Sequence, residues 1–411
     1  MTIETKILQR MAFTEEADGA FATDVTASAT FLDMPFQEGT ANVALNKPEL
    51  DPLVAQQRKD SRNQVIFGPK AAELSFSVPL GATGAAAGDG VASPAHTASA
   101  LLAFLKTIYG GVNGPNTGDT VASAAAAYTI TPTTTTLFDG GEVVGWVNAS
   151  GRLEARSLVQ GSATMTLRDQ LSATPSGSDV LYAGTTIHPI ENPLTSIQMI
   201  VEGAEQDDRW LLSGGQVTSA PTLSVALGAI PTLSFTVTFA QWAQEPTAAI
   251  TVASYGTFTP LESWESFRAI NGAASGSISG VCLDASAVDF AFNAPVYTAA
   301  KSGCGTNTIK RWVRSRAVPF AAITVTMPYE DSSWFTERDD FEYYGLTMQI
   351  GFEAGSTILI EIPKAQVVNV QPVDADGLGY QTVNFSATTD SYCSAADDDD
   401  IRYAAFRLHF L

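Results

Sequence analysis

Hydrophobic and polar residues alternate along most of the chain, which is the pattern of half-buried β-strands. In the segment 73–78, for example, Leu74, Phe76 and Val78 fall on one face and polar residues on the other. The same alternation, bounded each time by Gly, Pro, Asn or Asp, predicts strands over 164–167, 232–239, 323–327, 382–387 and 403–410. We therefore expect a mainly β protein.

Two segments show apolar residues at helical spacing instead. Leu101, Phe104, Leu105 and Ile108 predict a helix over 97–109, which Gly110 ends. A weaker pattern predicts a second helix over 332–340. Low-complexity composition marks three expected loops, at 81–90, 131–136 and 172–179.

Two pairs of segments recur in the same order along the chain. The segment 43–79 resembles 290–328, and the segment 216–238 resembles 366–388, which has the same length. A tandem duplication accounts for both matches, and a coincidence between similar strands and turns is the alternative.

The repeat divides the chain into two domains. The first would span 1–245 and the second 250–411. The two matching segments are separated by more residues in the first copy, from 79 to 216, than in the second copy, from 328 to 366. We therefore expect a long insertion in the first copy, at about 110–200.

Charge and composition restrict the classes of function. The chain has 411 residues, of which only 16% are charged, and its formal net charge is −21. A field of that sign repels phosphate groups, which argues against sequence-reading nucleic-acid binders and proteins of anionic membranes. The N-terminal sequence has no apolar signal region, and no run of 18 apolar residues occurs. We expect a protein made in the cytosol that does not span a membrane.

Residues that carry catalysis or bind metals are scarce. Cys282, Cys304 and Cys393 cannot all pair with one another and have no C-x-x-C spacing, which argues against a disulfide scaffold and a zinc site. The three histidines, at 96, 188 and 409, lack metal-ligand spacing and are interpreted as structural. The tract 275–280 lacks the G-x-S-x-G spacing of a nucleophile elbow. No catalytic, cofactor-binding or metal-binding residue is predicted.

Three charged segments have a functional and a simpler interpretation. The acidic and aromatic segment 334–344 fits a helix that covers a sheet better than it fits a sugar-cleaving cleft, although an acid pair assembled from distant loops stays open. The run 397–400 lacks the spacing of a calcium loop and is interpreted as a solvated turn. The basic segment 310–316 is expected to face another subunit rather than a nucleic acid.

Several strand-and-turn segments together resemble the major tail, or tail tube, proteins of tailed bacteriophages. The resemblance rests on the segments 46–48, 58–62, 68, 74–78, 101–102, 210–217, 228, 231–238, 362–367, 376–377 and 383–387. With its internal duplication, the chain looks most like the tube proteins of long-tailed, non-contractile phages that carry two tube folds in one chain.

The resemblance implies a fold and a function. The fold would be a tandem duplication of tail-tube β-sandwich or half-barrel units, each with a flanking α-helix, that assemble into a β-barrel tube. The function would be that of a structural virion protein and not an enzyme, made in the host cytoplasm and located in the virion tail. Stacked rings would form the conduit for DNA ejection, with an acidic lumen through which DNA passes without specific binding.

The resemblance also implies partners. Two folds in one chain favour a homotrimer, which presents six units around the ring, and a homohexamer is the alternative. Rings would stack through the termini and the loop 37–62, and other tail proteins would bind at the ends of the tube. A tail terminator, a distal tail protein, a baseplate protein and an acidic carbohydrate-binding or carbohydrate-cleaving β-sandwich protein remain alternative functions. A secreted or surface adhesin is disfavoured by the absence of a signal region.

Overall fold

The computed structural model is mainly β. The residues it describes are 10–16, 22, 30–46, 49–50, 66–67, 71–82, 100–114, 117–134, 137–161, 163–190, 195–203, 209–244, 252–253, 259–261, 264–271, 281–293, 296–301, 309–315, 321–329, 333–375, 378–389, 401 and 403–411. Among them are 31 strands and two helices. The protein is therefore mainly β, as the alternating pattern predicts.

Strands and helices follow one another along the chain in four groups. The first group is β1 (Arg10–Glu15), β2 (Phe31–Asp33), β3 (Asn42–Asn46), β4 (Glu49–Leu50), β5 (Ile66–Phe67), β6 (Ala71–Pro79), β7 (Gly81–Ala82), α1 (Ala100–Tyr109) and β8 (Gly110–Asn113). The second group is β9 (Asp119–Ala126), β10 (Thr129–Pro132), β11 (Val143–Val147), β12 (Leu153–Gln160), β13 (Met165–Leu167), β14 (Val180–Ala183) and β15 (Thr185–Pro189). The third group is β16 (Ile197–Glu202), β17 (Arg209–Val217), β18 (Thr222–Ala226), β19 (Thr232–Gln244), β20 (Val252–Ala253), β21 (Thr259–Pro260), β22 (Trp264–Asn271), β23 (Val281–Cys282) and β24 (Ala287–Phe292). The last group is β25 (Val296–Lys301), β26 (Ile309–Ser315), β27 (Ala321–Pro328), α2 (Ser333–Asp340), β28 (Tyr343–Ile350), β29 (Ile358–Ala375), β30 (Leu378–Ala387) and β31 (Arg407–Phe410).

Eight antiparallel strands form one continuous sheet, which we call the long sheet. Its order is β3-β6-β19-β18-β24-β27-β30-β29. Alternation along each strand puts apolar residues on one face, such as Leu74, Phe76 and Val78 of β6, which are all buried. The opposite face carries mainly Ser and Thr.

The same series of strand neighbours occurs twice. In one half the antiparallel order is β3-β6-β19-β17-β16-β1, and in the other it is β24-β27-β30-β29-β28-β22. A helix follows the second strand of each series, α1 after β6 and α2 after β27. The registers differ by two residues, because Thr232 lies opposite Pro79 whereas Tyr380, not Thr382, lies opposite Pro328. A shift of two keeps every side chain on the same face.

Each helix packs an aromatic ring on the apolar face of its own half. Phe104 of α1 lies 5.1 Å, centroid to centroid, from Phe235 of β19. Trp334 of α2 lies 5.6 Å from Phe385 of β30. One apolar core spans both halves. Tyr109 at the end of α1 belongs to this core and packs against Phe406. The helices therefore cover one face of the long sheet and leave the Ser/Thr face open.

A closed six-stranded barrel lies within the segment predicted as an insertion. Its order is β10-β13-β12-β11-β14-β9, and it has an apolar core of its own. The chain enters the barrel from β8 and leaves it through β15, and these two strands pair with each other. β15 also pairs with β31, which pairs with the first residues of β29. These pairings attach the barrel to the second half of the chain.

A buried cluster of charges fastens the barrel to β29. The Glu361 carboxylate, fully buried, contacts the guanidinium of Arg168, which follows β13 of the barrel. It also accepts a hydrogen bond of 2.9 Å from Arg407 of β31. His409 lies on the same strand, with Nε2 3.3 Å from the Glu361 carboxylate and Nδ1 2.9 Å from the Thr186 hydroxyl. The two arginines lower the pKa of Glu361 well below its usual value, although burial opposes this.

Most predicted elements are confirmed. Both predicted helices are present as α1 and α2, within the described residues. Strands occupy the alternating segments around Phe76, Met165, Phe235, Val325 and Phe385. The segment 172–179 contains no strand or helix, as expected for a loop. The predicted loop segment 83–90 lies outside the described residues.

Four predicted boundaries are wrong. Residues 42–46 and 49–50 of the predicted loop 37–62 form β3 and β4, because they pair with β6 and β5. Gly81 and Ala82 form the short strand β7, because they pair with Thr259 and Pro260, far away in the sequence. Thr131 and Pro132 belong to β10, because β-branched residues suit a pleated sheet even when the sequence is repetitive. Residues 403–406 do not continue β31; Arg407 instead folds back to donate hydrogen bonds to the carbonyl of Ile401.

The substitution Glu361→Gln should lower the free energy of unfolding by about 3–5 kcal/mol, because it leaves two buried arginines without a counter-charge. Denaturant unfolding measures this. The matched control is Glu202→Gln, which breaks the partly exposed pair with Arg209 at 2.5 Å and should cost less than about 1 kcal/mol. Equal losses in the two variants would contradict the role given to the buried cluster.

The contribution of His409 to stability should fall as the pH drops below about 6.5. Burial lowers the pKa of this histidine, so the unfolded chain takes up a proton at a higher pH than the folded chain. His409 faces Glu361, Arg407, Arg168 and Thr186. The slope from one such group is at most about 1.4 kcal/mol per pH unit. Above pH 6.5 the histidine contributes no pH dependence.

Urea unfolding of the wild type and of His409→Gln between pH 5 and pH 8 measures this contribution. The difference between the two proteins is the relevant quantity, because burial raises the pKa of Glu16 and raises that of Glu142 to about 7, which gives the opposite slope. Parallel pH profiles for the two proteins would show that His409 does not titrate as described.

Candidate assembly interface

The two halves of the long sheet meet edge to edge at a joint between β18 and β24. Leu223 lies opposite Phe290, and Val225 lies opposite Val288, with all four side chains buried. On the other face Ser224 lies opposite Asp289, and both are exposed. Gly228, with φ +74°, lies in the turn that joins β18 to β19. The joint thus combines a backbone ladder with burial of apolar side chains.

Both ends of the long sheet are open edges in the part of the chain that the structure describes. β3 pairs there with β6 alone. Residues 368–373 of β29 pair with β30 on one side and have no described strand on the other. Val368 and Val373 are 53% and 39% exposed. An open edge offers backbone hydrogen-bonding groups to another strand.

The two edges carry little of the charge that usually blocks such pairing. Asn42–Asn46 contains no charged residue, and neither does 368–373, although the exposed Asp374 follows directly on β29. Proteins commonly protect edge strands with lysines, prolines or bulges. Pro372 and the bulge between Val367 and Asn369 are the protective features present, and Pro372 removes one N–H donor. Apart from these two features, the edges are suited to pairing.

The two open edges correspond to the two strands of the internal joint. β3 holds the same place in its half as β24 holds in the other half. The last part of β29 pairs with β30 as β18 pairs with β19. The contact that joins the halves within one chain can therefore be repeated between chains, with β29 of one copy against β3 of the next.

The face of the long sheet opposite the helices is lined with hydroxyl groups, and we call it the hydroxyl face. Neighbouring strands bond across it: Ser77 to Ser234 at 2.8 Å, and Thr324 to Asn384 at 2.9 Å. At its outward positions the described strands carry two acidic residues, Glu73 and Asp289, and one basic residue, Lys364 of β29, whose ammonium group lies 4.3 Å from the centre of the Tyr343 ring. The face is therefore almost neutral despite the net charge of −21.

The structure places the basic segment 310–316 mainly on β26, which pairs with β25. Trp312 on this strand donates a hydrogen bond of 3.0 Å from Nε1 to the carbonyl of Gly214. This contact lies within one chain. The expectation that the segment faces another subunit stays a prediction.

The histidines and acids singled out in the sequence do not come together. His188 is buried, bonds to Asn113 at 2.9 Å and packs against Gly111, where a larger residue would clash. His409 belongs to the Glu361 cluster described above, and His96 lies outside the described residues, as do 275–280 and 397–400. Within the described ranges, no group of three or more His, Cys, Asp or Glu side chains is arranged to hold a metal ion. Trp334 covers the sheet, as predicted for 334–344, but the helix ends at Asp340, and Tyr343 and Tyr344 belong to β28.

Sequence reasoning missed the buried cluster of Arg168, Glu361 and Arg407. Its members are far apart in the sequence: Arg407 lies in an alternating segment, whereas Glu361 interrupts the apolar run 358–362. The absence of charge from β3 and from 368–373 was a usable signal for the open edges. Their position at the two ends of one sheet required the strand order.

Comparisons with models of protein families and with curated proteins give no match to this chain. Neither described helix has the length and apolar character needed to cross a lipid bilayer.

Lysines on either open edge should abolish self-association while leaving the fold intact, because charge on an edge opposes strand pairing. The β29-edge variant is Gln371→Lys with Val373→Lys, and the β3-edge variant is Asn42→Lys with Ala44→Lys. Sedimentation velocity measures association, and circular dichroism measures the fold. The matched control, Ala122→Lys with Ala125→Lys, places the same charges on an exposed barrel strand and should associate like the wild type.

A mixture of the two edge variants tests the direction of the contact. Each variant keeps one good edge, so the mixture should form a discrete dimer that cannot grow. Association of either variant alone, or a mixture that stays monomeric, would exclude the contact between β29 and β3.

Proposed function

We propose that the protein is a structural subunit that polymerises, through the open edges of its long sheet, into the tail tube of a bacteriophage. The observation that carries the proposal is the repeated strand order joined within one chain, with matching edges left open at its ends. A contact of this kind joins unlike surfaces of successive copies and forms a ring if the rotation closes. The subunit acts as a virion component and catalyses no reaction.

The repeated order supports a tandem duplication of one tube unit. Each unit contributes four strands to the long sheet and one helix to its covered face. The barrel between β8 and β15 is an addition to the first unit. In this view the domains are 1–245, with the barrel in the insertion, and 250–411.

Ring closure favours three chains. Each chain supplies eight strands, so three chains would close a barrel of 24 strands, and a closed barrel has no open edges. The rotation between the two units of one chain would then equal that between neighbouring chains. A ring of six chains, with twice as many strands, is the alternative. Stacking of rings through the termini and the part of 37–62 that follows β3 would extend the tube.

The hydroxyl face is suited to line the lumen. The helices occupy the other face, so closure with the helices outward turns Ser, Thr and Asn towards the bore. Glu73 and Asp289 add negative charge, and Lys364, whose ammonium group lies over the Tyr343 ring, is the one described cation at the outward positions of these strands. Phosphate groups would therefore find few ion-pairing partners on this surface. DNA passes such a lumen without specific binding, and the lumen is weakly rather than strongly acidic.

Negative-stain and cryo-electron microscopy of the purified protein test the proposal. Hollow tubes with three chains per ring are expected, and the control variant Ala122→Lys with Ala125→Lys should form them too. Six chains per ring would overturn the trimer and leave the tube. Single rings that never stack would indicate a tail terminator or distal tail protein of the same fold. A protein that stays monomeric at high concentration would overturn the assembly altogether.

A further inference from the structure

A polar cleft of about 560 Å³ lies between the barrel and the strands β22 and β28, which belong to the second half of the chain. Its walls come from three places: the turn between β11 and β12 with β12 itself, the segment after β13, and the strands β22 and β28. The volume falls in the range of small-molecule sites. The cleft is separate from both open edges of the long sheet.

The side chain of Gln349 fixes the two walls relative to each other. It accepts a hydrogen bond of 3.0 Å from the backbone N–H of Ala155 and donates one of 2.7 Å to the carbonyl of Leu153. Gln349 lies on β28, and its two partners lie on β12 of the barrel. A site held in this way is formed before any ligand arrives, which lowers the cost of binding.

The cleft concentrates positive charge in an acidic protein. Its lining contains three arginines, Arg152, Arg156 and Arg268, and one acid, Glu154. Asp169 lies behind them, 2.7 Å from Nε of Arg268 and 3.5 Å from Nε of Arg156. Counting this acid as well, the arginines exceed the carboxylates.

The carboxylate of Glu154 already serves the protein itself. It accepts hydrogen bonds from Asn148 at 2.9 Å, from the backbone N–H of Ser172 at 2.8 Å and from the Ser172 hydroxyl. Burial opposes ionisation of Glu154, yet these bonds and Arg156 lower its pKa. The ionised Glu154 carboxylate is thus held in the wall of the cleft, and the excess of positive charge available to an anion is one unit, from three arginines against Glu154 and Asp169.

Hydroxyl and amide groups surround the guanidinium groups. Ser150, Ser172, Asn148 and Gln170 line the cleft beside the arginines, and Arg152 at its mouth lies 4.6 Å above the ring of Phe352. Guanidinium groups match the planar oxygens of carboxylates and phosphates. Hydroxyl and amide side chains match the hydroxyls of a polyol.

We propose that this cleft binds a small, hydroxyl-rich ligand that carries an oxyanion, such as a sugar with a carboxylate or a phosphate group. The arginines neutralise the anion, and Ser150 and Gln170 contact the rest of the ligand, because the side chains of Asn148 and Ser172 donate their hydrogen bonds to Glu154. The proposal does not depend on the assembly proposed above, because none of the lining residues belongs to β3 or to 368–373.

Isothermal titration calorimetry with glucuronate, glucose 6-phosphate and glucose tests the proposal, since these probes share one ring and differ in the anionic group. Saturable binding of at least one of the two anions is expected, with glucose binding at least about tenfold more weakly. Preference between the two anions identifies which group the cleft takes. Arg152→Gln, at the exposed mouth, should weaken binding of the preferred anion by about tenfold.

Arg338→Gln is the matched control, because Arg338 is a partly exposed arginine on α2, outside the cleft. It should leave the affinity unchanged, and both variants should unfold at the wild-type temperature. The proposal would be overturned if neither anion bound at concentrations up to the millimolar range, in at least 10-fold molar excess over the protein. Equal affinity for glucose, or equal effects of Arg152→Gln and Arg338→Gln, would also overturn it.

Discussion

The buried carboxylate of Glu361 is the constraint on which the arrangement of the whole chain depends. An isolated charge in the interior costs several kcal/mol, and the two arginines that flank it, together with the hydrogen bond to His409, offset that cost. One of them, Arg168, comes from the barrel, and the other, Arg407, comes from the last strand. Barrel, β29 and β31 must therefore be in place together. Because β29 also carries an open edge, docking of the barrel and orientation of that edge are linked.

The alternation of apolar and hydroxyl residues performs two tasks in the long sheet. Its apolar half builds one core that runs under both repeats, and the helices close that core through Phe104 and Trp334. Its hydroxyl half yields a surface whose polar groups bond to one another across strands, as Ser77 and Ser234 do. Such a surface is wettable without being highly charged. Both properties follow from the same period of two.

The sequence predicts individual strands and helices better than it predicts which strands pair with each other. Alternation around Phe76 and Phe235 identifies two strands, and only the structure shows these two residues directly opposite each other. The repetitive composition around Thr131 predicts a loop, but this threonine repeat forms part of β10 because β9 is available as a pairing partner. The cluster around Glu361 could not be predicted, because its partners come from distant segments that look like ordinary strands. Charge-free edges are visible in the sequence, but their place at the ends of one sheet is not.

The attachment of the barrel has a consequence for how such chains change over time. The chain leaves the main body at Asn113 and returns at Thr186, two residues that lie opposite each other in adjacent strands. Everything between them begins and ends at one point, so a tight turn or a different folded module fits the same place without altering the registers on either side. An inserted domain can therefore be exchanged at this position, by recombination or by design. A replacement module would have to supply a cation in place of Arg168, because Arg168 carries the charge that reaches from the barrel to Glu361.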